Sequence, residues 1–310
     1  MKQMTKTLFG KARWKKTAPV VDEPPPSLRP KKVTKVITVV VLTVVLIYFL
    51  FPIYWVIVAA TKSNPELVST NGIWFASNLR ELPGAIAANY ARLMGWTQGL
   101  FWRWIANSLF YSTAAGIIGT LLSVMAGYSL AKFKYRGRNL ILGMIMSGLL
   151  MPVALLTIPM YIVFHGIGLT NTMASIIIPS CISPFGVFLG RVYAQSSVPT
   201  ELIEAARIDG ASEARIFFTI VLRLLAPAMV TIFLFIFVAT WNNFLLPLMM
   251  VSSAEIQPVT LGLYGMMSYF NPEKGAVMMG ALFGVLPLIV IFLGLQKYWQ
   301  AGLAAGSVKE

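Results

Sequence analysis

Between Pro199 and Pro227 the acidic residues Glu201, Glu204, Asp209 and Glu213 alternate with Arg207, Arg215 and Arg223, and long apolar runs flank them on both sides. These four make up over a third of the chain's eleven acidic residues. In so apolar a chain, such a segment meets water or another protein rather than lipid. Its chemistry is recognition rather than bond-making, because no nucleophile, metal-ligand set or carboxylate pair of catalytic type accompanies it. Pro199 suits the first position of a helix, and Glu201 suits the positive end of its dipole. Glu204, Ala205 and Ala206 continue that helix with a close-packing surface, and Asp209-Gly210 supplies a residue able to end it in the left-handed conformation. A second helix then runs from about Ala211 toward the next apolar run. The product is a compact L with Glu204 and Asp209 near its corner. Residue types leave two readings open: an element that inserts into a groove on a cytoplasmic protein, or a solvated amphipathic connector.

Other polar residues sit where water is scarce. Asn242 and Asn243 fall near the middle of an apolar run, where an unpaired amide is expensive. They either bond to another helix or face a wet cavity, and the neighbouring Trp241 could stack on a sugar face. Asn107, Ser108, Tyr111 and Ser112 occupy the outer end of an earlier run. His165 has no spaced His, Cys or carboxylate companion, so neither a metal nor a proton relay is indicated. The single cysteine, Cys181, excludes an intrachain disulfide. The sixteen methionines are spaced as packing residues.

The elements that carry these residues follow from composition. With 310 residues, 57% of them hydrophobic, 12% charged and a mean hydropathy of +0.74, the chain belongs to the polytopic membrane class. Six runs are long enough to cross about 30 Å of hydrocarbon: Val36 to Ala60, Ile105 to Ala131, Asn139 to Phe164, Asn171 to Gly190, Leu224 to Ala254 and Gly275 to Gln296. They are apolar all round and lack the alternation of barrel strands, so the fold class is an all-α membrane protein of six transmembrane helices. Pro52, Pro152, Pro159, Pro179, Pro184, Pro247 and Pro287 lie inside these spans and invite kinks. Gly116, Gly119, Gly127, Gly143 and Gly148 permit close helix approach.

The net charge of +14 is a matter of placement. Ten of the 25 basic residues precede Thr38, and Lys132, Lys134, Arg136 and Arg138 crowd one short connection. By the positive-inside rule both termini, that connection and the charged L face the cytoplasm, where the basic residues also touch anionic membrane lipid. Nucleic acid is not an expected partner. The expected organisation is a basic, disordered tail over 1–35, a membrane domain over 36–297 that contains the charged loop 196–223, and a cytoplasmic tail over 298–310. Residues 61–104 form the longest outside loop. Its Trp74, Trp96, Trp102 and Trp104 suit an interfacial belt, with recognition of a partner or sugar as the alternative.

The run Glu204-Ala205-Ala206, three residues, Gly210, nine residues, then Ile220-Val221-Leu222 resembles the EAA loop in the membrane subunits of bacterial ABC importers. Arg223 stands where that family usually has proline, with Pro227 four residues later. Asn107-Ser108-Leu109, the run Gly127 to Phe133, Trp241-Asn242-Asn243-Phe244 and the ending Gly302 to Lys309 are similar to the carbohydrate-uptake branch. They are most similar to the six-span permease of maltose-type importers. The resemblance covers roughly residues 36 to 310 and implies the type I ABC importer permease fold in a bacterial plasma (inner) membrane.

It also implies partners: a second permease subunit, an ATPase dimer inside, an extracellular lipid-anchored or periplasmic sugar-binding protein outside, and a carbohydrate as cargo. Glu204, Ala205, Ala206, Asp209, Gly210, Ala211 and Ile220 would couple to the ATPase, and the C-terminal residues would reach it too. Trp241, Asn242, Asn243, Asn107 and Tyr111 are the solute-path candidates. No Gly-x-x-x-x-Gly-Lys-Ser/Thr loop occurs in the chain, so ATP and its Mg are expected on the partner, and this subunit is not an enzyme. A polyol or glycerol phosphate is the alternative cargo. A self-sufficient secondary carrier or channel is the alternative class, but it would be expected to carry charged groups within its spans.

Overall fold

The computed structural model describes residues 31–75, 79–267 and 273–305; side chains of 298–305 are outside the described set, as are most of the basic tail and the last residues of the chain. Two units separate, Met1–Pro52 and Ile53–Glu310. The described part of the first is the opening of helix α1 (Lys32–Ala60), which carries no charge after Lys35. The helix starts at Lys32, inside the stretch expected to be tail, because nothing between Lys32 and Val36 breaks a helix.

In the second unit the expected outside loop is largely helical. After α1 come α2 (Asn64–Ser69) and α3 (Leu82–Trp96). The first is opened by a reciprocal capping box in which the backbone N–H and hydroxyl of Ser63 both donate to Glu66 Oε2 at 2.8 Å. These two bonds hold the Glu66 carboxyl below the ordinary range. Lys62 is only 1% exposed, and its ammonium donates to Thr70 Oγ1 and to the carbonyl of Asn71. Asn89 Nδ2 on α3 donates to the carbonyls of Ala60 and Lys62, tying α3 to the end of α1.

The long helix α4 (Phe101–Lys132) begins four residues before the predicted second span, so Trp102 and Trp104 are helical. At about 1.5 Å per residue its 32 residues reach about 48 Å. Trp104 is 3% exposed and does not belong to an interfacial belt, whereas Trp74, Trp96 and Trp102 remain open.

The third and fifth spans differ most from expectation. The third divides into α5 (Arg138–Leu150) and α6 (Val153–Gly166), bent by 106°. Met151 and Pro152 are both extended there, so Pro152 starts a helix instead of kinking one. The fourth span comprises α7 (Ala174–Ser180) and α8 (Pro184–Ser197); Pro184 is the first residue of α8, which runs on past Gly190 to carry Arg191. The fifth is α12 (Ala226–Trp241) and stops at Asn242, followed by α13 (Leu245–Met250) with Pro247 in its first turn. Among the described residues four helices are long and apolar enough to cross a membrane, rising to six if each of two bent pairs counts as one span.

Short helices α9 (Thr200–Ile208), α10 (Glu213–Ile216) and α11 (Leu222–Leu224) lie between α8 and α12, and α14 (Val259–Gly265) precedes the last helix, α15 (Lys274–Ala305). That last helix extends through much of the expected C-terminal tail, because residues 298–305 include nothing that stops a helix except Gly302.

Helix α4 is the spine. A Cβ on Gly127 would lie 2.5 Å from the backbone nitrogen of Arg191, and one on Gly119 2.8 Å from the carbonyl of Cys181. These absent side chains let α8 and its entry loop lie against α4. Near its Lys132 end, Val124 and Tyr128 share a core with Tyr193, Ala194, Ile203, Ile216, Val221 and Ile232. Near its Phe101 end, Phe101 and Trp104 share another with Leu93, Phe237, Trp241 and Ala276.

Candidate functional site

The charged segment folds into a two-armed knuckle. Pro199 is the N-cap rather than the first helical residue, and Thr200 opens α9. The N–H of Ala211 donates to the carbonyl of Ala206 and that of Gly210 to Arg207, both at 3.0 Å. This double bond pattern with Gly210 at φ +78° is a Schellman ending, and it turns the chain sharply. Ser212 Oγ accepts from the N–H of Arg215, so the second arm begins at Glu213, two residues later than the composition suggests. It continues through a π-helical turn, Phe217–Val221, and α11. Arg223 therefore sits inside a helix, and the 82° turn into α12 falls at Leu225. Pro227 follows in the first turn of α12, where a missing N–H costs nothing.

Arg207 Nε lies 2.6 Å from Glu213 Oε1, so an ion pair crosses the corner and joins the arms. Glu213 pushes the guanidinium pKa up, and Arg207 also lies over the Phe133 ring, 5.8 Å from its centroid. Lys132 Nζ reaches Thr200 Oγ1 at 3.4 Å. The basic connection after α4 and the knuckle thus lie at the same end of the bundle.

The two faces of the knuckle differ. Ile203, Ile216, Phe217 and Val221 are buried in the core around Tyr128. Glu204, Ala205, Asp209 and Gly210 are exposed, while Ala206, Ala211 and Ile220 are half-buried. The motif brings these residues to one projection, as expected. It missed Ile208, which is 87% exposed at the apex. Helical spacing held the signal: Ile208 lies about 140° round the helix from buried Ile203, at about 100° per residue.

The solute-path candidates are arranged differently. Asn107 Nδ2 donates to the carbonyls of Glu255 (2.9 Å) and Gln257 (3.0 Å), and Tyr111 Oη to that of Ile256 (2.8 Å). Trp104 Nε1 donates to Ala254, and Ser108 Oγ accepts from the N–H of Val259. Asn171, at φ +56°, accepts from the N–H groups of Ser252 and Ser253 through Oδ1 and donates its own N–H to Met250. Residues 250–259 form a ledge fastened to α4 and to the loop before α7. Asn107 Nδ2 and Tyr111 Oη are thus engaged by the backbone of this ledge.

Trp241, 3% exposed, stacks on Phe237 at 5.8 Å and 19°, so that face of the indole is taken. Asn242 and Asn243 are not mid-helix: Asn242 ends α12, and Asn243 Oδ1 accepts from the N–H of Leu246 at the start of α13. Asn242 stays exposed, its Nδ2 donating to Val238.

Residues 119–304 match the family described as the binding-protein-dependent transport system inner membrane component. The chain belongs to that family. As an inner membrane transport component it is a multi-pass membrane protein and a non-catalytic permease subunit. It is 31% identical over 259 residues to the arabinooligosaccharides transport system permease protein AraQ of Halalkalibacterium halodurans, covering 84% of this chain and 91% of that one. It is 30% identical to the lactose transport system permease protein LacG of Rhizobium radiobacter, over 84% of this chain and 91% of the other. A chain in the crystal structure of a bacterial ABC transporter involved in the import of the acidic polysaccharide alginate superposes with a TM-score of 0.71 at 21% identity, covering 86% of this permease and 96% of that chain. The fold is that of a type I importer permease.

Proposed function

We propose that this permease subunit forms, with a second permease, the path of an ATP-driven importer for an oligosaccharide-class carbohydrate delivered by an extracellular binding protein. One observation carries the coupling part of this reading: the knuckle fixes one face in the bundle core and presents Glu204, Ala205, Ile208, Asp209 and Gly210 outward. A solvated connector has no need for an isoleucine at its apex. An ATPase cleft would bury Ile208 and Ala205 and meet Glu204 and Asp209 with basic groups. ATP and Mg would belong to that partner, both termini and the knuckle facing the cytoplasm. The cargo class rests on the relatives, whose names specify arabinooligosaccharides and lactose. Asn242 is the solute-path candidate whose side chain remains open.

The test is the complete importer in proteoliposomes with Gly210→Leu. A side chain at φ +78° strains the corner although nothing lies within 4 Å to clash with it. Uptake and solute-stimulated ATP hydrolysis are expected to fall at least about tenfold, with insertion and pairing with the second permease unchanged. Normal uptake would refute the coupling role.

A further inference from the structure

The basic connection after α4 borders an open surface hollow of about 430 Å³ lined by Lys134, Tyr135, Arg138 and Asn139. A second hollow of about 510 Å³ follows it along α5, floored by Gly143, Met144, Ser147 and Met151. Asn139 and Leu140 line both, so the two adjoin. Their chemistry changes along their length. At one end Lys132, Lys134, Arg136 and Arg138 fall within seven residues; Lys132 reaches Thr200 Oγ1 and Arg138 donates to the Phe133 carbonyl, both at 3.4 Å. At the other the floor asks for no hydrogen bond, because Ser147 Oγ already donates to the Gly143 carbonyl at 2.9 Å. No residue of α5 is buried.

We propose that these adjoining hollows bind one anionic phospholipid, its phosphodiester on Lys134 and Arg138 and one acyl chain along the Gly143–Ser147 face of α5. A topology signal needs only positive charge on one side of the membrane, and it accounts for neither hollow. A cationic pocket opening into an apolar trough matches an amphiphile with an anionic head. Gly143 supplies the room: a Cβ there would meet nothing within 4 Å. The site does not depend on which cargo the importer carries.

The experiment uses the complete importer, exchanged into nanodiscs of phosphatidylcholine containing phosphatidylglycerol, then released and weighed by native mass spectrometry. Retained phosphatidylglycerol is expected on the wild type and on the charge-conserving pair Lys134→Arg with Arg138→Lys. The pair Lys134→Ala with Arg138→Ala should weaken retention roughly 25-fold, as two headgroup contacts imply. Gly143→Leu should weaken it with every cation in place, and inorganic phosphate should not displace the lipid. Equal retention in both weakened variants would overturn the proposal. So would displacement by phosphate alone, which marks a free-anion site. Crosslinking of a Gly143→Cys variant to the second permease would overturn it too, since a partner helix would then occupy the trough.

Discussion

Asn107 shows how a buried amide can mislead. An amide at the end of an apolar run needs a partner, and the sequence placed Asn107 there only as a candidate on the solute path. The partner is the backbone of residues 255 and 257, about 150 positions away, which no local pattern reveals. Asn107→Ala leaves two carbonyls without their donor and should cost about 1–3 kcal/mol. Thermal unfolding of the purified importer measures that loss, and uptake per folded molecule should stay near wild type. At the knuckle the residue scale was far more legible, because Glu204, Ala205, Ala206 and Gly210 form a local pattern whose spacing fixes the turn. Ile208→Asp places a charge where an apolar cleft is expected and should cut solute-stimulated hydrolysis at least about tenfold without lowering the amount of folded protein.

Among the elements, hydropathy revealed which stretches enter the membrane but not their direction. The bends at Met151-Pro152 and Leu225 come from a few backbone angles, which leave an apolar run just as apolar. Close packing along α4 was legible through its glycines and is testable there. Gly127→Ala drives a Cβ into the backbone of Gly190 and Arg191, which cannot swing aside, and should cost about 1–3 kcal/mol or more. Gly294→Ala meets nothing within 4 Å and should be neutral or slightly stabilising in the same melting measurement.

Helix α2 gives a pH dependence. Glu66 titrates below the ordinary carboxylate value in the folded chain, so its stabilising effect is present above about pH 4.3 and fades as the pH falls through its lowered value. A spin label on Ser69→Cys should gain mobility in that acid range, and Glu66→Gln should remove the step.

At the scale of the whole molecule, the described residues form one core around the knuckle, another around Phe101 and a third around Tyr111, with α4 running unbroken through all three. Fastening the knuckle to the first core makes position matter more than sequence. Two glycines inserted between Val198 and Pro199 would leave every exposed knuckle residue intact while detaching Ile203 from Tyr128's surroundings. Such a chain should still recruit the ATPase in a pull-down, while solute-dependent stimulation of hydrolysis falls at least about tenfold. Unchanged stimulation would show that the knuckle works as a tethered ligand.

The ledge at residues 250–259 hangs from Trp104, Asn107, Ser108 and Tyr111, on the same rod whose far end grips the knuckle. A seesaw has this construction: its two seats cannot be raised independently. If the rod tilts without bending, exit on one side and entry on the other become mutually exclusive postures of a single beam, and a leak with both doors ajar would require breaking the plank.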